Sequence, residues 1–167
     1  MTGSHDWERR LRDIVSDGRS PVHLVGVGNE LRNDDAAGLE VASAIRSSLG
    51  ASPGPGVKAY AGSNAPERLL SMLATKKGRI VIFDAVEASL EAGTVVFRPM
   101  ADTKYGFFGT HNIPLKLIPG LAERLGDVFL VGIQPSSLEF GQGLSDRVRE
   151  SVGRIVGVVR EGVEERA

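Results

Sequence analysis

The chain has 167 residues, enough for one domain with a full hydrophobic core. Hydrophobic residues make up 41%, charged residues 25%, and the formal net charge is -1, which leaves no charge excess to draw it to nucleic acid or to a membrane surface. Cysteine is absent, which excludes disulfides, thiolate catalysis and Cys-built zinc or iron–sulfur sites.

The N-terminal stretch "MTGSHDWERRLRDIVSDG" carries charge throughout and lacks the apolar centre of a signal peptide. Trp7, Leu11, Ile14 and Val15 recur at helical spacing, so residues 1–20 are predicted as an amphipathic helical extension docked on the body. No apolar run approaches the roughly 20 residues of a spanning helix. A cytoplasmic protein, monomeric and without nucleic-acid or membrane partners, is the expectation.

"PVHLVGVG" is a continuous apolar run, as strands covered on both faces are. "DDAAGLEVASAIRSSLG" reads as a helix that Gly50 can end. "VKAYAG" is a second strand, and "APERLLSMLATKKG" a second helix with Pro66 in its first turn. "RIVIFDA" is a third buried strand. "AGTVVFRP" follows it directly, which predicts an antiparallel hairpin.

"ADTKYGFFGTHN" reads as an irregular surface loop, and "PLKLIPGLAERLG" as helical at least in its second half. "DVFLVGIQP" is a last buried strand. The terminal helix carries an apolar stripe of Val148, Val152, Ile155, Val156 and Val159. The order predicts one α/β domain over 1–167, three-layered α/β/α, with a mostly parallel sheet of about five strands including one antiparallel strand.

The turn "VGVGNELRNDDAAG" has the layout of a phosphate-binding loop but not its chemistry. Gly26 and Gly28 fit a dinucleotide fingerprint, whereas the third glycine position is Leu31. A Walker lysine is missing, and Asp34 and Asp35 would repel phosphate. One aspartate is accounted for as a cap on the following helix, a contribution of ~0.3–1 kcal/mol. A second carboxylate is then available for other work.

Asp84 ends the third strand, and ligands of open α/β sheets bind beyond the carboxyl ends of strands. It either turns the chain there or converges with the Asp34–Asp35 loop on one crevice. His23 reads as a hydrogen-bonded core residue. His111, in the loop "FFGTHNIP", can complete an N/O site with Asp35 and Asp84, a set suited to a borderline divalent ion such as nickel or zinc. A serine hydrolase built on Ser63 lacks the nucleophile-elbow motif.

The segments "GVGNELRNDDAAG", "GSNAPERL", "IVIFDAV", "GTHNIPLKLI" and "VGIQPSSLEFGQGLS" together resemble the hydrogenase maturation proteases. These endopeptidases trim the large subunit of nickel–iron hydrogenases. "GSNAPE", "THNIPL" and "GIQP" resemble the branch serving the hydrogenase of formate hydrogenlyase. The resemblance covers the chain from about Val22 onward. It implies a nickel-binding set of Asp35, Asp84 and His111, with nickel supplied by the immature large subunit, the protein partner.

Asp35 stands where many members have Glu, and Ala36 where many have Gly. The implied activity is removal of a C-terminal extension from the nickel-loaded subunit. Asp35 and Asp84 are the candidate catalytic groups, aspartic-type or metal-assisted. Asn29, Asp34 and His111 are candidate substrate-binding groups. The alternative from the same residues is a non-catalytic nickel-binding or nickel-recognition chaperone.

Overall fold

A computed structural model of the protein describes residues 5–62, 65–102 and 117–166. One sheet runs through them in the order β2-β1-β3-β5-β4. Its strands are β1 (Val22–Gly26), β2 (Val57–Ala61), β3 (Arg79–Ala85), β4 (Val95–Pro99) and β5 (Val128–Ile133). All neighbours are parallel except β4 and β5. The helices are α1 (Asp6–Ser16), α2 (Ala37–Leu49), α3 (Glu67–Leu73) and α4 (Asp146–Glu165).

The continuous apolar runs became the three central strands, because β1, β3 and β5 are covered on both sides. Leu24, Val81, Phe83, Val131 and Ile133 face a layer made by α1, α2 and α4. Val25, Ile80, Ile82 and Leu130 face α3 and the segment holding Ile118 and Leu121. The result is the expected three-layer α/β/α arrangement. Edge strand β2 alternates instead, with Val57 and Ala59 buried and Lys58 exposed. Its outer side is closed at Ala59, whose N–H donates to the Ala51 carbonyl and whose carbonyl accepts from the Arg46 guanidinium.

One sequence expectation needs correction. β4 is antiparallel but forms no hairpin with β3, because β5 lies between them. The link of residues 86–94 crosses the end of β5, bonded by Val86 N–H to the Ile133 carbonyl and Gly93 N–H to the Gln134 carbonyl. A strand as apolar as β5 gains more from pairing on both edges than from lying outermost. Gly132 permits the crossing, since a Cβ there would lie 2.4 Å from Val86 Cγ2. The second half of "PLKLIPGLAERLG" is helical as expected, in the form of a 3₁₀ helix, Ala122–Asp127, with non-helical geometry at Arg124. The predicted loop "ADTKYGFFGTHN" falls almost wholly outside the described residues.

The N-terminal extension is helical as expected, and Trp7, Leu11, Ile14 and Val15 are all buried. It packs on α4, where a Cβ on Gly162 would lie 2.8 Å from Val15 Cβ. Arg12 pairs with Glu161, and Arg154 bonds Glu8 while lying over the Trp7 ring. Arg166, only 9% exposed, donates to the carbonyls of Val15, Asp17, Ser20 and Pro55. The last described residue therefore clamps the passage from α1 into β1.

His23 is a core residue, as its place in a buried strand suggests. Nε2 lies 3.1 Å from the Lys77 carbonyl, which can only accept, so Nε2 carries the hydrogen. Nδ1 then accepts from the Tyr60 hydroxyl at 3.3 Å. Burial pushes the His23 pKa below its ordinary 6.5, so the folded state binds fewer protons than the unfolded chain. This contribution to stability is complete above pH 6.5 and is lost as pH falls through the lowered folded value. We expect the urea midpoint to drop further between about pH 7.5 and 5.5 in the wild type than in His23→Gln. An equal drop in both would show that His23 does not titrate on unfolding.

Candidate functional site

The site is built where β1 meets α2. A Cβ on Gly38 would lie 2.1 Å from the Phe83 carbonyl oxygen and 2.3 Å from that of Val27. A Cβ on Gly28 would lie 2.5 Å from the Asp35 carbonyl oxygen. These glycines serve close approach, seating the first turn of α2 directly on the ends of β1 and β3. The phosphate-loop likeness is thus a likeness of packing.

A 3₁₀ turn, Asn33–Ala36, precedes α2 and packs against β3. It carries both aspartates. The N-cap residue of α2 is Ala36, which makes no side-chain hydrogen bond. Asp34 faces the loop that leaves β5. Its carboxylate accepts from the N–H groups of Ser136 (2.8 Å), Ser137 (3.2 Å) and Ser145 (2.7 Å), and from Ser145 Oγ (2.9 Å). Ser145 is the residue that starts α4. One carboxylate thus ties the β1–α2 turn to the loop 134–145 and to the head of the terminal helix.

Further bonds reinforce the joint. Asn33 N–H donates to the Gly141 carbonyl, Gly141 N–H to the Leu31 carbonyl, and Arg32 Nε to the Leu138 carbonyl. Asn33 itself is left-handed at φ 47°, a conformation Asn tolerates better than most residues. Asn29 Oδ1 accepts from Leu31 N–H at 3.0 Å, so part of the Asn29 side chain holds the turn.

Asp35 and Asp84 are both buried, Asp84 without any exposure. Asp84 lies beneath the surface, on the strand against which the 3₁₀ turn packs. Asp84 Oδ1 accepts from the following Ala85 N–H at 2.9 Å. Strand alternation puts its side chain on the face of Ile80 and Ile82. No buried side-chain nitrogen or oxygen among the described residues lacks a hydrogen-bond partner. The two candidate carboxylates therefore sit on elements in direct contact, the 3₁₀ turn and β3.

His111, the third member of the predicted set, lies outside the described residues, as does Ser63. Among the described residues, no group of three or more His, Cys, Asp or Glu is placed to hold a metal ion. No helix among them is long and apolar enough to cross a membrane.

A family profile described as hydrogenase maturation protease (HycI) matches residues 59–161. The hydrogenase 3 maturation protease of Escherichia coli (strain K12) is 30% identical over 132 residues, covering 77% of this chain and 82% of that protein. The chain belongs to the hydrogenase maturation protease family. It is therefore a peptidase.

Among solved structures, a NiFe hydrogenase maturation protease HycI from Thermococcus kodakarensis KOD1 matches with a TM-score of 0.76 at 25% identity, over 93% of this chain and 99% of that one. A hydrogenase 3 maturation protease matches with a TM-score of 0.67 at 27% identity, over 84% and 89%. These likenesses agree with the branch that "GSNAPE" and "GIQP" suggest.

Within this peptidase, Gln134 is a residue the sequence reading left without a role. Its buried amide accepts from Ala88 and Leu90 N–H and donates to Glu87, fixing the 86–94 link over the site's edge. The only sequence signal was its place in "GIQP".

The Asp34 joint is open to test. Asp34→Asn sets an amide NH₂ against N–H donors, and each hydrogen bond to a charged group contributes about 1.5–3 kcal/mol. We expect a stability loss of about 2–4 kcal/mol in urea unfolding. Hydrogen exchange at Ser136, Ser137 and Ser145 should accelerate; unchanged exchange there would remove Asp34 from this role.

Proposed function

We propose that this peptidase removes the C-terminal extension from the nickel-loaded large subunit of a nickel–iron hydrogenase. The reading rests on family membership together with one observation: the Asp34-held turn sets Asp35 on an element packed against the strand end that carries Asp84. Nickel belongs to the substrate in this proposal. Asp35, Asp84 and His111 recognise it, two oxygen donors and one nitrogen donor of the types a borderline divalent ion accepts.

Peptide hydrolysis then needs a base and an acid near the scissile carbonyl. Water attacks the carbonyl carbon, and one of the two carboxylates, Asp35 or Asp84, takes the water's proton. The C–N bond breaks, and that proton passes to the leaving nitrogen. The products are a new C-terminal carboxylate on the subunit and a free amine on the released peptide. The substrate's metal, where it reaches the carbonyl, lowers the barrier by polarising it.

Asp34 takes a different part from the one its position suggested. With its two oxygens accepting four donors from the chain, it acts by positioning Asp35 and the 134–145 loop. Asn29 acts alongside it through the same turn.

Cleavage of purified precursor decides the matter. Asp84→Asn, Asp35→Asn and His111→Ala are each expected to reduce trimming to background, while circular dichroism and thermal unfolding stay close to wild type. Normal trimming by any of the three would remove that residue from the assignment. A precursor purified without nickel should remain uncut by the wild-type enzyme; equal cleavage with and without nickel would overturn recognition through the metal.

A further inference from the structure

The loops around the candidate site carry apolar side chains that the fold itself does not use. Phe140 is 86% exposed, Leu31 59% and Leu90 46%. Each comes from a different loop at the same edge of the sheet: Leu31 after β1, Leu90 after β3 and Phe140 after β5. Scattered exposed leucines are ordinary on a protein surface. Three large apolar residues at one edge, beside two buried candidate carboxylates, are a patch.

The patch is also held rigid. Asp34 receives the backbone on both sides of Phe140, at Ser136 and Ser137 and again at Ser145. Gly141 N–H bonds the Leu31 carbonyl at 2.9 Å, so the Phe140 and Leu31 loops are joined backbone to backbone. Leu90 N–H is held by the Gln134 side chain. An exposed aromatic on a fixed loop loses little conformational freedom on binding, the property of an interface anchor.

Charge indicates what covers it. Glu30, Glu87, Glu91 and Glu139 stand exposed on the same three loops. Arg32 is the one cation those three loops carry. Arg147, from α4, lies 3.8 Å from Glu91. The rim around the apolar residues is thus acidic.

We propose that Phe140, with Leu31 and Leu90, is a docking surface for the folded large-subunit precursor. The precursor would offer an apolar pocket bordered by basic side chains. The inference rests on the function proposed above and adds to it a contact away from the scissile bond. Docking there orients the subunit so that its metal and its C-terminal extension reach Asp35 and Asp84.

The test uses the full chain and a purified, nickel-loaded large-subunit precursor carrying its extension. Phe140→Ala is expected to raise KM about tenfold with kcat within about twofold of wild type. Phe140→Tyr should restore KM, and KM of the wild type should rise with salt as the acidic rim is screened. Because Phe140 is exposed, thermal unfolding of both variants should match wild type.

An unchanged KM in Phe140→Ala overturns the docking surface, and a KM indifferent to salt overturns its charge complementarity. A change of oligomeric state in that variant, read by light scattering, would assign the patch to self-association instead. Asp84→Asn run in parallel separates the two proposals. Loss of cleavage there with an unchanged Phe140→Ala KM defeats only the docking surface. Normal cleavage by Asp84→Asn defeats the catalytic reading beneath it.

Discussion

The arrangement of the site depends on the hydrogen bonds of one buried carboxylate. Asp34 receives four donors from residues far along the chain, three of them backbone N–H groups. Charge-assisted bonds of this kind are the strong ones, and burial keeps water from competing for them. They hold the turn after β1 to the loop after β5, across the end of β3. The turn that carries Asp35 also packs directly on β3. Negative charge in the turn thus has a structural use at Asp34, next to the candidate site carboxylate Asp35.

Glycine makes the brace possible from the other side. Gly38 lets α2 begin in contact with the Val27 and Phe83 carbonyls, and Gly28 lets the chain pass beneath Asp35. A nucleotide-binding turn uses glycine in a related way, to bring backbone close to a phosphate. Here the same closeness brings two pieces of the protein together and leaves acidic side chains at the strand ends. A shared turn geometry is therefore poor evidence for a shared ligand.

Much of the fold was legible because the central strands are apolar without interruption and the outer helices carry clean stripes. Val148, Val152, Ile155, Val156 and Val159 are all buried as their spacing implies. The family was legible in short motifs spread along the chain. The pairing of β4 was not, because adjacency in sequence suggested a hairpin and nothing local marks the insertion of β5. Nor was the partner of Asp34, since hydrogen bonds from Ser136, Ser137 and Ser145 leave no periodic trace. The pairing of α1 with α4 was half legible: the stripe announced a buried face but not what it meets. Arg166, reading as one more charge in a polar tail, gave no sign that four carbonyls await it.

The insertion of β5 bears on how the enzyme comes into being at the ribosome. β4 is synthesised before β5 yet has no neighbour in the sheet until β5 arrives between it and β3. The donors that brace Asp34 emerge later still, and α1 packs against α4, far along the chain from it. Contacts of such long reach form late, after most of the chain is available. Until the chain has been made through residue 145, Asp34 lacks the Ser145 donors that brace the turn after β1.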